Sequence, residues 1–378
     1  MAGHARVDLL FDARHIRQSG IGTYISTELP HLEYVFAERG LALAVLVDRD
    51  KMPELRSTTV VVESRPVNAP MYSRDEQRAW DVALKAIRPR AMWVPHYPFP
   101  LTLLRPRNRR TRLFVTVHDL LHVQAGHVTG QNSAFRAYAR TMLKADVRRA
   151  TRIFTPSHST AASLSAVAPN APVTVTPLAV DEAWFAPVDP AASPVPGRYV
   201  LYVGNTKWHK NLTVLLKAFG EVAQGLPQNL VIAGGGALVK NSDARVDQLA
   251  GDQADRVRIV GRVDFAALRA LVAGADLLVM PSLYEGVGLP PLEAMASHTA
   301  VLASDIPSLR ETCGDGAEYF GPQDHRALGE LLRTYCTDDA ARADLADRGR
   351  ARVTQRQSGI SLTAAAEAIC AELAGAST

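Results

Sequence analysis

At 378 residues the chain is about twice the length of a usual single domain, and its 47% hydrophobic content is ample for two cores. No apolar run approaches the roughly 18 residues that span a bilayer, and the opening MAGHARVDLLFDARH is too short and too broken by Asp8 and Asp12 to be a secretion signal. The three cysteines, Cys313, Cys336 and Cys370, have neither metal-ligand spacing nor the count of a disulfide framework, so a soluble, reduced, cytoplasmic protein is expected.

The net charge of +4 hides an asymmetry. Residues 1–185 carry 24 Lys and Arg against 16 acids, and the remainder carries 18 against 22. The run RPRNRRTR places Arg105, Arg107, Arg109, Arg110 and Arg112 within eight residues. Such a run is either a solvated loop or an attractor for an anionic membrane surface or lipid diphosphate. Nucleic acid is not indicated, because no aromatic interleaving accompanies the arginines.

In chain order, strands are expected at Val7–Phe11, Leu41–Val47, Thr59–Val62, Ala91–Pro95, Leu113–Val117, Arg152–Pro156 and Val173–Thr176. Helices fall between them at Gly22–Arg39, Arg74–Ile87 and Asn132–Ala150. Strands separated by helices argue for parallel βαβ units. The proline-rich DEAWFAPVDPAASPVPGR then reads as a linker. Beyond it the pattern restarts, with strands at Tyr199–Val203, Asn229–Ala233, Val257–Val260, Leu277–Met280 and Ala300–Ala303. Helices are expected at Asn211–Ala223, Phe265–Ala273, Pro291–Ala296 and Leu362–Leu373. Doubly wound domains bind ligands at the carboxyl ends of their strands, and each motif below falls at such an end.

The first is Gly20-Ile21-Gly22, placed between the first strand and the first helix, where backbone can approach a phosphate. The full G-x-G-x-x-G of a dinucleotide fold is absent, which disfavours a nicotinamide oxidoreductase. Next, the strand at 113–117 ends in His118-Asp119, with His122 close by. Asp48-Arg49-Asp50 spells D-x-D, a metal-diphosphate signature, but lies far in sequence from the other motifs. In YVGNTKWHKNLTVLL a strand, a glycine, a basic loop and an amphipathic helix make a diphosphate site, with Lys210 as point charge and the helix start as dipole. Gly234–Gly236 is either a close-approach loop or a tight turn. In LLVMPSLYEGVGLPPLEAMAS, residues 277–297, a buried strand leads through a glycine loop into a helix opening near Pro290 and Pro291. Glu285 and Glu293 flank that loop. A carboxylate pair near a sugar can signal hydrolysis, but this setting suits gripping hydroxyls.

The string E-G-V-G-L-P-P-L-E-A-M-A, with glutamates at 285 and 293, resembles the paired-glutamate signature of the family 4 retaining glycosyltransferases, and the likeness runs over essentially the whole chain. It implies a GT-B fold: two doubly wound α/β Rossmann-like domains facing each other across a cleft. Residues 1–185 would bind acceptor and 186–359 the nucleotide-sugar donor, with a helix at about 360–376 packing back on the first domain. By this resemblance Glu285 contacts sugar hydroxyls, backbone at Gly288 and Leu289 meets sugar and phosphate, and Glu293 holds the ribose. Gly20 and Gly22 border the donor phosphates, His118 meets the transferred sugar, and the loop ending at Val263 carries the nucleobase. Lys210 neutralises the leaving diphosphate. The chain departs from the family pattern at Asn205 and His209, where arginines are common, so Lys207 is the candidate second charge.

The implied reaction is a retaining transfer without a covalent nucleophile, the departing diphosphate taking the acceptor's proton, and with no cofactor or metal beyond the nucleotide-sugar co-substrate. The spelling VGNTKWHKN and the GIGTY loop are similar to mannosyl- and rhamnosyltransferases of bacterial surface polysaccharide. GDP-mannose is therefore the expected donor and a glycan or lipid-linked glycan the acceptor, with possible peripheral contact to an anionic membrane. UDP- and dTDP-sugars are the alternative donors, and a non-catalytic nucleotide-sugar-binding protein is the alternative of another class.

Overall fold

The computed structural model describes residues 7–123, 133–234 and 243–375. They form two compact units, one holding residues 7–123, 133–179 and 361–375, the other Val180–Ile360.

In the first unit the order is β1 (Leu9–Asp12), α1 (Ser19–Glu38), β2 (Leu43–Val47), β3 (Val60–Glu63), α2 (Arg74–Ile87), β4 (Ala91–Val94) and β5 (Arg112–Thr116). Then come α3 (Ser133–Arg149), β6 (Ala150–Thr155), α4 (His158–Val167) and β7 (Val173–Val175). The strands make one parallel sheet in the order β3-β2-β1-β4-β5-β6-β7. β1, β2 and β4 are buried at every residue, as a sheet covered on both faces requires. β3 ends the sheet and leaves Val60 and Val61 exposed.

The second unit runs β8 (Tyr199–Val203), α5 (Leu212–Val222), β9 (Asn229–Ala233), α6 (Ala244–Gly251), β10 (Val257–Gly261), α7 (Phe265–Ala273) and β11 (Leu277–Met280). It continues with α8 (Leu289–Ala296), β12 (Ala300–Ser304), α9 (Pro307–Cys313), β13 (Glu318–Phe320), α10 (His325–Thr337) and α11 (Asp339–Ser358). Its parallel sheet has the order β10-β9-β8-β11-β12-β13. Cores lie on both faces: Leu215, Phe219, Leu230, Ile232 and Leu332 on one, Trp184, Tyr199, Met280, Leu292 and Met295 on the other. Helix α12 (Ala364–Ala374) returns to the first unit, where Arg90 and Arg152 bond the Leu373 carbonyl and the Glu372 carboxylate.

Several sequence expectations change here. Gly20 and Gly22 are not in a loop ahead of the helix but inside the first turn of α1, which starts at Ser19. A Cβ on Gly22 would sit 2.5 Å from the Ile16 carbonyl oxygen, so the missing side chain lets the helix begin directly against the preceding loop. The proline-rich stretch folds onto the second unit: Trp184 is buried in its core with its ring edge-on to Phe265. The chain passes between the units at Ala179–Val180 and again at Ile360–Ser361, and the Gln357 amide bonds both the N–H and the carbonyl of Val180, each at 2.9 Å. Of the loop expected at Gly234–Gly236, residues 235 and 236 lie outside the described residues.

Candidate active site

In each sheet the strand order reverses once, between β1 and β4 and between β8 and β11. Open parallel sheets bind ligands outside the carboxyl ends of the strands at such a reversal. Lys210 follows β8 and Glu285 follows β11, so two residues 75 apart in sequence meet at the second reversal, with Lys210 Nζ 2.6 Å from Glu285 Oε1. Both are largely buried, at 15% and 10% side-chain exposure. The same Glu285 oxygen accepts the Ser282 hydroxyl at 2.6 Å.

The two loops are pinned to each other. The Leu283 N–H donates to the His209 carbonyl at 2.8 Å, and the Asn211 amide donates to the carbonyls of Pro281 and Pro322. Asn211 stands at the N-cap of α5 in a left-handed conformation, φ +53°, which asparagine tolerates better than most residues. Its side chain is turned away from the helix, so the first N–H groups of α5 keep no side-chain cap from it. Asn205 is half-buried and bonds the Lys207 N–H with its own side chain, and Lys207 is exposed.

Gly288 caps α8 at φ +86°, and a Cβ there would lie 2.5 Å from a Leu309 methyl, so the loop can enter the helix in this way only with glycine. Leu289 opens the helix, just ahead of Pro290 and Pro291, and packs on the core. Glu293 lies one turn on. Burial, and then the neighbouring Asp181 carboxylate, push its acid up to about 7. Val263 follows β10 and packs against the same core.

In the first unit His118 follows β5. Its Nε2 lies 2.7 Å from the Pro95 carbonyl oxygen, which can only accept, so Nε2 carries the proton and Nδ1 is left as an acceptor. Burial holds the imidazole below the usual histidine range, which keeps it neutral. Tyr24 from α1 meets the ring edge-on with centroids 4.8 Å apart, and its hydroxyl oxygen lies 3.2 Å from the Thr116 hydroxyl. His122 instead joins the rings of Tyr72, Tyr97 and Phe135.

Sequence reasoning missed the network at the first reversal. Arg14 forks onto Asp12 at 2.9 and 2.6 Å, and the Trp80 indole donates to Asp12 at 2.7 Å. His15 and His96 both face Glu76 Oε1, at 3.3 and 2.9 Å, while Oε2 accepts the N–H of Tyr72, whose φ is +63°. Burial alone would raise Glu76, but His96, His15 and Arg14 draw its acid down to about 2. The ligand atoms of His15, Glu76 and His96 lie within 4.8 Å of one another, a spacing a metal could use. The Arg14 guanidinium, 3.7 Å from Glu76, already brings a positive charge there, so we read the group as a hydrogen-bonded ion network. The local signal that was available is the D-A-R spelling at the end of β1. Asp48 and Asp50 of the D-x-D are bonded to Asn68, with Lys51 beside Asp48, an arrangement that orders the 48–68 loops.

Comparison with known proteins decides the family. Residues 20–184 match the model "Glycosyltransferase Family 4" and residues 189–352 match "Glycosyl transferases group 1". The chain belongs to the family 4 glycosyltransferases. It is similar to the O-antigen chain mannosyltransferase RfbU of Salmonella typhimurium, 28% identical over 76% of this chain and 79% of that one. It is also similar to O-antigen chain mannosyltransferase B of Escherichia coli, 33% identical over 42% of each. The fold of this glycosyltransferase is that of sucrose-phosphate synthase from Thermosynechococcus elongatus, with TM-score 0.78, 21% identity, and 98% and 100% of the two chains covered. WaaG, a glycosyltransferase of lipopolysaccharide biosynthesis, shares it at TM-score 0.71 and 15% identity, covering 96% and 99%. Family membership carries a nucleotide-sugar donor and a glycan acceptor. Among the described residues no helix is long and apolar enough to cross a membrane.

Proposed function

We propose that this glycosyltransferase moves a mannosyl or related hexosyl group from a GDP-sugar to a hydroxyl of a growing, lipid-linked bacterial surface polysaccharide. Configuration at the anomeric carbon is retained, and no metal is needed. The observation that carries the reading is the Lys210–Glu285 pair at the β8/β11 reversal. The O-antigen mannosyltransferases among the relatives support the choice of sugar and product.

Lys210, with the N–H groups at the start of α5, takes the diphosphate, and positive charge then stands where the leaving group becomes negative. Glu285, held by Ser282, turns its carboxylate to the sugar hydroxyls once Lys210 engages phosphate. Glu293 accepts the two ribose hydroxyls, and Gly288 and Leu289 present backbone to sugar and phosphate. His118, neutral with Nδ1 as acceptor, takes a hydrogen bond from a hydroxyl of the transferred sugar and positions it. With Lys210 on the phosphate, Glu285 keeps the Ser282 bond and its carboxylate is taken up by sugar hydroxyls, so it is a poor covalent nucleophile. Front-face attack, with the departing diphosphate accepting the acceptor's proton, remains the path that uses the groups present.

Purified protein offered GDP-mannose, UDP-glucose and dTDP-rhamnose with a polyprenyl-diphosphate glycan tests this. Transfer from GDP-mannose in the presence of chelator, giving an α-linked product by NMR, is expected. Donor binding with no transfer to any acceptor would favour a nucleotide-sugar-binding protein instead.

A further inference from the structure

The chain has four tryptophans. Trp80, Trp93 and Trp184 are buried, at 3% exposure or less, whereas Trp208 stands 39% exposed. It lies two residues before Lys210 in the loop that follows β8. An indole in water is not by itself informative, but this one is held in place. The Arg245 guanidinium carbon sits 3.9 Å from the centre of its ring. That guanidinium in turn forks onto Asp243, with Nε at 2.9 Å and Nη2 at 2.6 Å. Asp243 is buried and its N–H donates to the Thr206 carbonyl at 2.7 Å, which ties the start of α6 back to the loop of Trp208.

The guanidinium thus occupies one face of the indole, and among the described residues no second ring or cation stacks on Trp208 and its N–H has no hydrogen-bond partner. A fixed aromatic ring loses little conformational freedom when a ligand settles on it. Position says which ligand. Arg245 opens α6, and α5 and α6 pack on one face of the sheet through Phe219 and Val246. Leu292 and Met295 of α8 pack on the other. A nucleoside held by Glu293, as proposed above, lies on the α8 side, so its base is not the group beside Trp208.

We propose that Trp208, fixed by Arg245, is a stacking platform for a pyranose ring of the acceptor glycan. The C–H groups on one face of a pyranose carry weak positive charge and meet the negative face of an indole, while the indole N–H is left for a sugar hydroxyl. Trp208 touches the ligand, and Arg245 acts through it as a positioning residue. The proposal rests on a glycan acceptor, which family membership carries, and on the place proposed for the nucleoside, but not on mannose as the sugar transferred.

Tryptophan fluorescence tests it directly, because the other three indoles are buried. Acrylamide quenching is measured on the whole chain with GDP or UDP, and then with added tetrasaccharides of mannose, rhamnose, glucose or galactose. At least one tetrasaccharide should lower the quenching of the exposed emission about twofold, and nucleotide alone should leave it unchanged. On the glycan that wild type uses as acceptor, Trp208→Ala should raise the acceptor KM about tenfold with little change in kcat, the effect of losing an anchoring tryptophan. Trp208→Phe should restore most of that loss. Arg245→Gln should raise the same KM about threefold and increase quenching in the free protein. A tetrasaccharide that protects Trp208 in a protein transferring nothing from GDP-mannose would leave the platform standing and count against the mannosyl reading instead. Protection by nucleotide alone, protection by none of the four tetrasaccharides, or an unchanged acceptor KM in Trp208→Ala would each overturn the proposal.

Discussion

Lys210 Nζ and Glu285 Oε1 are 2.6 Å apart, joined across the two loops that follow β8 and β11. The pair holds a cation and an acceptor together where diphosphate and sugar would lie. Losing either partner leaves the other charge largely buried without its counter-ion. Lys210→Ala should lower kcat/KM by about 100- to 1000-fold, the scale for removing one group that stabilises developing charge. It should also abolish thermal stabilisation by a nucleoside diphosphate. Glu285→Gln should lower turnover while leaving nucleoside-diphosphate binding within a few-fold of wild type. Equal loss of nucleotide binding in both variants would contradict this division of labour.

In the role proposed for Glu293, donor binding depends on pH. Burial and Asp181 push its acid up to about 7, and only the carboxylate could accept both ribose hydroxyls. Donor affinity should therefore rise as pH goes from 6 to 8, by up to about tenfold per unit on the acid side, and calorimetry in two buffers should find proton uptake by buffer. Asp181→Asn should move the midpoint down. The sign for the unliganded protein is opposite. A folded acid above its unfolded value of 4.5 leaves stability intact below 4.5 and erodes it as pH rises through about 7. Glu293→Gln should remove both dependences.

Much of this could be read from the chain, and the exceptions have physical causes. β8, β9 and β11 are bounded to the residue, because a strand covered on both faces is an uninterrupted apolar run with polar ends. Helix α11 was missed because its sequence is mostly solvent-facing and charged, and α10 because its buried face, Leu328, Leu332 and Cys336, is a narrow stripe among polar residues. The Asp324 and Asp338 side chains that cap them were the available signal. At the site, Lys210, Glu285 and Glu293 were legible from type and spacing, but the contact of Lys210 with Glu285 was not, since only the strand order brings the two loops together. Ser282 and Asn211 look like ordinary loop residues. Glu76, His15 and His96 are separated by up to 81 positions, and nothing local marks them as partners.

His118 should act as a neutral acceptor across the neutral range. Its Nε2 proton is committed to Pro95, and burial keeps the ring from charging. The acid limb of kcat should therefore lie below that of an ordinary histidine, and His118→Ala should cost about 100-fold or more in kcat. Tyr24→Phe should cost far less, since the ring contact with His118 survives while the hydroxyl's bond to Thr116 is lost. A limb shifted upward would show that the imidazolium is the working form.

The two glycines of the first helix turn should behave differently. At Gly20 an added Cβ meets nothing within 4 Å, so Gly20→Ala should leave stability unchanged or slightly higher. At Gly22 the same atom meets the Ile16 carbonyl at 2.5 Å and carbon at 2.9 Å, both backbone, and no side-chain rotation relieves them. Gly22→Ala should lower the melting temperature by several degrees and loosen the start of α1. Equal behaviour in a thermal melt would mean that this turn is not held as tightly as the contacts indicate.

Asp146 on α3 is fully buried, and among the described residues neither carboxylate oxygen has a hydrogen-bond partner, so burial raises its acid well above the usual range. The carboxyl is kept protonated in the folded chain and ionises freely in the unfolded one. Stability is therefore complete below the unfolded value of 3.8 and declines as pH rises toward the folded value. Asp146→Asn keeps the shape and removes the ionisation. The variant should be more stable than wild type at pH 8, by about 2–4 °C for each kcal/mol recovered, and the advantage should vanish near pH 4. A constant difference across that range would show that the cost at this site is the buried polar group itself and not its charge.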